Sequence, residues 1–217
     1  MTSVKKRKLI KWPHDRISGF TDSVYAFAVT LLVLNLIDLS VPSGDQSLTP
    51  FLIHNAPAFI SFALTFIIIS RFWMSHTRLF AIIKEPDTTT VRLNNTLLFF
   101  ITAFPFVASV FGSHINNKDA VIMYAGCFAL VGFIQYAIGK HAYKQHIFIS
   151  EDLNDNFLKI FVFYSLSTPT VFLASIFVAF LSPIFAEILW VAILFLKLGF
   201  KSYYKHNPSD EIEIDEL

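Results

Sequence analysis

The stretch from Arg16 to Leu34, RISGFTDSVYAFAVTLLVL, constrains this chain more than any other. An apolar helix of that length is fit to enter a bilayer, whose hydrocarbon core takes about 20 residues to cross. Yet it opens with Arg16, Thr21 and Asp22. A charge where a helix meets lipid is costly, so it is expected to have a partner and a task. The same helix carries Phe27, Thr30, Leu31 and Leu34 at i, i+3, i+4 and i+7. That spacing puts one hydroxyl and three large apolar side chains on one face. A polar mouth followed by an apolar stripe points to a pore lining more than to a plain anchor. Periodicity alone describes equally a stripe facing lipid or a neighbouring helix.

Composition supports lipid as the solvent. Of 217 residues, 54% are hydrophobic and 25 are Phe, more apolar surface than a soluble domain of this size hides. The net charge of +1 gives no reason to expect a nucleic-acid partner. The single Cys127 lies in an apolar run, so neither a disulfide framework nor a thiol metal site is expected. His54, His114, His141 and His146 are scattered without metal-ligand spacing, and no metal or cofactor is expected. No Walker loop, nucleophile elbow, HExxH or paired carboxylate appears, so no catalytic residue is assigned and an enzyme is not expected. The N-terminal KKRK resembles the start of a secretory signal, but no small-residue cleavage site follows. The segment reads as a retained first transmembrane helix.

Six apolar spans are expected, giving an all-α, polytopic membrane protein. They run from about Ile17 to Ile37, from Thr49-Pro50 to Trp73, and from Leu93 to Phe111 with a kink at Pro105. The fourth follows Asp119 to about Ile138. The fifth follows Asn156 to about Leu181 with Pro169 inside it, and the sixth restarts at Ser182-Pro183 and reaches Phe200. Asn94 and Asn95 read as caps of span three. Residues 1–205 form the membrane domain, and 206–217, ending SDEIEIDEL, form an acidic tail. Sixteen of the seventeen Lys and Arg fall on one side of this arrangement, and only Lys118 falls on the other. The positive-inside rule then puts both termini in the cytoplasm.

Arg16-x-x-x-Phe20-Thr21-Asp22 resembles the Arg-x-x-x-Phe-Ser-Asp motif of the transmembrane protein 175 potassium channel family. The following VYAFAVTLLVL is similar to that family's first helix. FWMSHTRLF in span two is similar to its Trp-x-x-His element and basic-aromatic end. Beyond the second span the likeness is one of hydropathy. Thr21 keeps the hydroxyl of the usual Ser. Ser23 stands where Gly is common, and Phe27 where the family shows Leu or Ile.

The resemblance implies a passive, potassium-favouring cation channel. Bacterial members with one six-span repeat assemble as homotetramers around the first helix, which suggests the bacterial inner membrane here. Phe27, Leu31 and Leu34 would form stacked apolar constrictions, with Thr30 as the polar group beside them. No TVGYG-like filter is present, so selectivity would rest on pore width and dehydration. By the same resemblance, Arg16, Phe20, Thr21, Asp22, Trp73 and His76 form a network tying span two to the pore helix. The alternative is a proton-coupled secondary transporter relaying protons through Asp22, His76 and Glu187.

Overall fold

A computed structural model describes residues 12–37, 47–147 and 165–190, together with 39, 41, 42 and 44. Its elements are helices: α1 His14–Leu31, α2 Leu34–Ile37, α3 Leu48–His54, α4 Ala56–Ile82, α5 Thr88–Ser113, α6 Lys118–Gln145 and α7 Ser167–Ala179. A further helix, α8, occupies 183–190. Among the described residues, four stretches are long and apolar enough to cross a membrane: His14–Ile37, Ala56–Ile82, Thr88–Ser113 and Lys118–Gln145. The expected start of span five after Asn156, the end of span six at Phe200 and the tail 206–217 lie outside the described residues.

Local chemistry explains the ends. Ser47 caps α3 by accepting the Thr49 amide, and Asn55 interrupts the helix before α4 restarts with Pro57 in its first turn. Pro is tolerated there because the first amides of a helix have no intrahelical acceptor. Span two then extends past Trp73 to Ile82. Span three begins earlier than expected: Asp87, not Asn94 or Asn95, is its N-cap, accepting from the Thr90 amide at 2.8 Å. The polar run Thr88–Arg92 is therefore helix rather than connector, and α5 continues through Pro105. Asn117 caps α6, and His146 ends it in the left-handed conformation. The chain breaks at Ser182 and restarts at Pro183 as expected.

The four long spans alternate in direction. At one end, His14 Nε2 donates to the Phe80 carbonyl at 2.8 Å, His141 meets Asp87 at 2.9 Å, and the Lys84 amide reaches the Ile147 carbonyl at 2.9 Å. At the other, the Asn116 amide donates to Glu187 at 3.3 Å and Lys118 lies over the Phe180 ring. Arg16, Arg78, Lys84, Arg92, Lys140 and Lys144 thus share the first end, opposite Lys118. The core is aromatic. Phe104, Phe128 and Phe172 stack in series across α5, α6 and α7, at centroid separations of 4.2 and 5.1 Å. Trp190 of α8 stacks on Tyr124 and donates to Ser175 Oγ at 2.8 Å. Lipid gives helices no hydrophobic drive to associate, so such packing holds them together, at about 0.5–1.5 kcal/mol per aromatic pair.

Candidate functional site: the first helix and its anchor

Pro13 enters α1 in extended conformation, and Asp15 places a negative charge in the first turn, where the helix dipole favours it. The helix then presents two faces of opposite fate. Ile17, Thr21, Tyr25, Ala28 and Leu32 are buried against the bundle. Phe20, Ser23, Phe27, Thr30, Leu34 and Ile37 are exposed. Phe27 keeps 65% of its surface open, whereas Leu32, barely more than one turn on, keeps none. Phe27, Thr30 and Leu34 therefore share the free face, and Leu31 is half-buried at its flank. Past Thr30 the helix tightens: the amides of Leu32, Val33, Asn35 and Leu36 each reach back three residues. This 3₁₀-like turn carries Asn35 to α5, where its amide donates to the Pro105 carbonyl at 3.0 Å.

The buried face is anchored by polar groups. Thr21, fully buried, accepts from Asn94 Nδ2 at 2.9 Å. The Asn94 carbonyl oxygen accepts from His76 Nε2 at 2.8 Å. One buried chain of hydrogen bonds thereby joins α1, α5 and α4. The His76 ring stacks on Phe80 at 4.3 Å, with Tyr25 of α1 beside it. A second link runs along the exposed edge, where Trp73 Nε1 donates to Asp22 Oδ1 at 2.8 Å. Each buried member is desolvated, so a satisfied chain fixes geometry and a broken one leaves costly orphans.

The expected network residues are thus brought together in part. Thr21 and His76 meet through Asn94, and Asp22 meets Trp73. Arg16 is exposed and has no ion pair among the described residues. Phe20 lies on the free face rather than in the network. Glu187 sits at the opposite end from Asp22 and His76, held by the Asn116 amide.

Sequence reasoning missed Asn94 and the joint behind it. Asp87 caps α5 and pairs with His141 on α6. Burial pushes the Asp87 carboxyl upward, but the Thr90 amide and hydroxyl and the His141 ring outweigh it and hold the group below its usual value. Asp87 followed by Thr88, Thr89 and Thr90 was a readable N-cap signal. Asn35, a lone amide in an apolar run, was a readable sign of an interhelical bond. Among the described residues, no group of three or more His, Cys, Asp or Glu is placed to hold a metal.

Residues 16–105 match the family described as endosomal/lysosomal potassium channel TMEM175. A potassium channel of Chamaesiphon minutus is 29% identical over 134 residues, covering 58% of this chain and 64% of the relative. One of Chryseobacterium sp. is 30% identical over 125 residues, covering 57% and 59%. The endosomal/lysosomal proton channel TMEM175 of Danio rerio is 24% identical over 154 residues, covering 70% of this chain and 29% of the relative. The chain therefore spans less than two thirds of the length of these curated relatives. The crystal structure of a TMEM175 homologue from Chamaesiphon minutus shares the fold, with a TM-score of 0.71 at 23% identity over 86% of this chain and 97% of that one. These relatives are channels rather than enzymes. Spans and relatives together make this an integral, multi-pass membrane protein. The chain is thus similar to the TMEM175 family through residues 16–105, and it shares the fold of a solved homologue.

Proposed function

We propose that this chain is the subunit of a passive cation channel that favours K⁺ and is lined by α1. The observation that carries the reading is the free face of that helix. Phe20, Phe27, Leu34 and Ile37 stand open on one side, while the opposite side is fixed to α4 and α5 through Thr21 and Asn94. A helix held rigidly from behind, with an apolar stripe in front, suits a constriction that must keep its width. The relatives' names, potassium channel and proton channel, support cation conduction.

In this reading four copies surround an axis, and Phe27, Leu31 and Leu34 form apolar rings. Phe27 and Leu34 stand on the free face, and Leu31 contributes from the flank. Thr30 is the polar ring among them. Its hydroxyl donates to the Phe27 carbonyl at 2.8 Å, which leaves the oxygen lone pairs as acceptors for a cation. K⁺ sheds water more readily than Na⁺, so a narrow apolar gate with hydroxyl oxygens favours K⁺. The network Thr21–Asn94–His76 with Asp22–Trp73 is the structural support of the pore helix, and Arg16 stands at its entrance. Six spans, both termini in the cytoplasm and a bacterial inner membrane complete the proposal. The permeant ion is the only small partner required. In the alternative, proton-coupled transporter, Asp22 and His76 act near one end and Glu187 at the other, so a relay would have to cross the bundle.

Planar-bilayer recording of the purified protein under a K⁺/Na⁺ bi-ionic gradient tests the proposal. Unitary currents reversing toward the K⁺ potential are expected. Reversal midway between the ions would remove the K⁺ preference. Flux that requires a proton gradient and shows no unitary steps would replace the channel with the transporter.

A further inference from the structure

The free face of α1 holds a second hydroxyl. Ser23 lies seven residues before Thr30, hence on the same stripe, about 10 Å along the helix axis. It is exposed, and its hydroxyl donates to the Gly19 carbonyl at 2.7 Å. Thr30 does the same toward Phe27 at 2.8 Å. A carbonyl oxygen cannot donate, so each hydroxyl proton is committed to the backbone. Each oxygen is left with lone pairs alone. The stripe from Phe20 to Leu34 therefore alternates aromatic rings with acceptor-only oxygens: Phe20, Ser23, Phe27, Thr30. Both kinds of group attract a cation, the ring through its negative face and the hydroxyl through its oxygen.

The level is open: a Cβ placed on Gly19, one turn before Ser23, would meet nothing within 4 Å. Asp22 turns off the stripe to accept from Trp73 on α4, and Arg16 begins the stripe one heptad before Ser23.

We propose that Ser23 forms a second cation-coordinating ring, for a partly dehydrated monovalent ion, on the Arg16 side of the Phe27 constriction. The proposal rests on α1 lining the pore. An ion approaching Phe27 from that side would exchange part of its water for Ser23 oxygens before the constriction, then meet Thr30 beyond it. Two acceptor levels flanking one apolar ring divide the dehydration into two smaller steps.

The test combines selectivity with accessibility, in a Cys127→Ser background that removes the only native thiol. Under K⁺/Na⁺ bi-ionic conditions, Ser23→Ala is expected to lower the K⁺ to Na⁺ permeability ratio or the K⁺ current by about threefold or more, while Ser23→Thr, which keeps the hydroxyl, retains both. Ser23→Cys and Leu34→Cys are each exposed to a water-soluble cationic thiosulfonate. Modification and block of both is expected. If Leu34→Cys is modified and Ser23→Cys is not, the Ser23 site is overturned while the pore reading stands. If both react but Ser23→Ala leaves ratio and current unchanged, or Ser23→Thr loses them equally, Ser23 lines the pore without coordinating an ion and the proposal fails. If neither reacts, the pore reading itself fails.

Discussion

Helices α1 and α6 have similar apolar composition and opposite surroundings. In the span containing α1, 22% of the residues in its most apolar stretch are buried, against 50% in α6. Helix α6 is enclosed by α5, α7 and α8, through Phe128, Tyr124 and a close approach of Gly132 to Pro169. Helix α1 touches α4 and α5 along one face and leaves the other open. The contrast separates two uses of apolar side chains in a membrane. Those of α6 pack a scaffold. Those on the free face of α1 pack against no other helix among the described residues.

The contrast breaks first at the polar anchor. Asn94→Leu should leave buried Thr21 and His76 without their shared partner, at about 1–3 kcal/mol for each orphan. The detergent-solubilised protein should lose much of its thermal stability; an unchanged Tm would mean that α1 is held by packing alone. Next comes the scaffold. A Cβ on Gly132 would lie 2.8–3.0 Å from three atoms of the Pro169 ring. Gly132→Ala should therefore cost about 1–3 kcal/mol through overpacking. Gly126, where a Cβ meets nothing within 4 Å, is the matched control, and Gly126→Ala should leave Tm nearly unchanged or slightly raised.

Acid should act on the joint between α5 and α6. Asp87 titrates below its ordinary range in the folded chain, so its contribution is present above the unfolded carboxylate value and is lost as pH falls through the lower folded value. Asp87→Asn should remove that part of the acid sensitivity, by about 1 kcal/mol or less for a group still partly exposed. Parallel acid-melting profiles of the two proteins would refute it. The smallest effect on stability belongs to the free face. Leu34→Ala should barely move Tm, yet it should raise current or weaken selectivity if the face lines a pore. Leu31→Ala, at the half-buried flank, should move both.

Much of the scaffold was legible without coordinates. Apolar length gave the four long spans seen among the described residues, and Ser182-Pro183 gave the break between α7 and α8. The placement of lysines and arginines gave their common end, because charge is excluded from the hydrocarbon core. The motif around Phe20, Thr21 and Asp22 pointed to the anchor. Its central member did not declare itself. Asn94 follows a polar run that looks like a connector, and a helix that extends beyond the apolar core is indistinguishable there from a loop. Of the network expected around Arg16, Asp22, Trp73 and His76, Asp22 takes the Trp73 indole, while Arg16 has no ion pair among the described residues.

The sequence by itself determined that this chain lives in lipid, how its first spans run, and which family motif they carry. These follow from local quantities: apolar length, charge position and residue spacing. Only the tertiary structure decided which face of α1 is spent on the bundle and which is left open. A helix wheel presents both, and the choice depends on Asn94 reaching Thr21 from a residue 73 positions away. Hydrogen bonds over that range are fixed by how helices pack, and no local pattern encodes them.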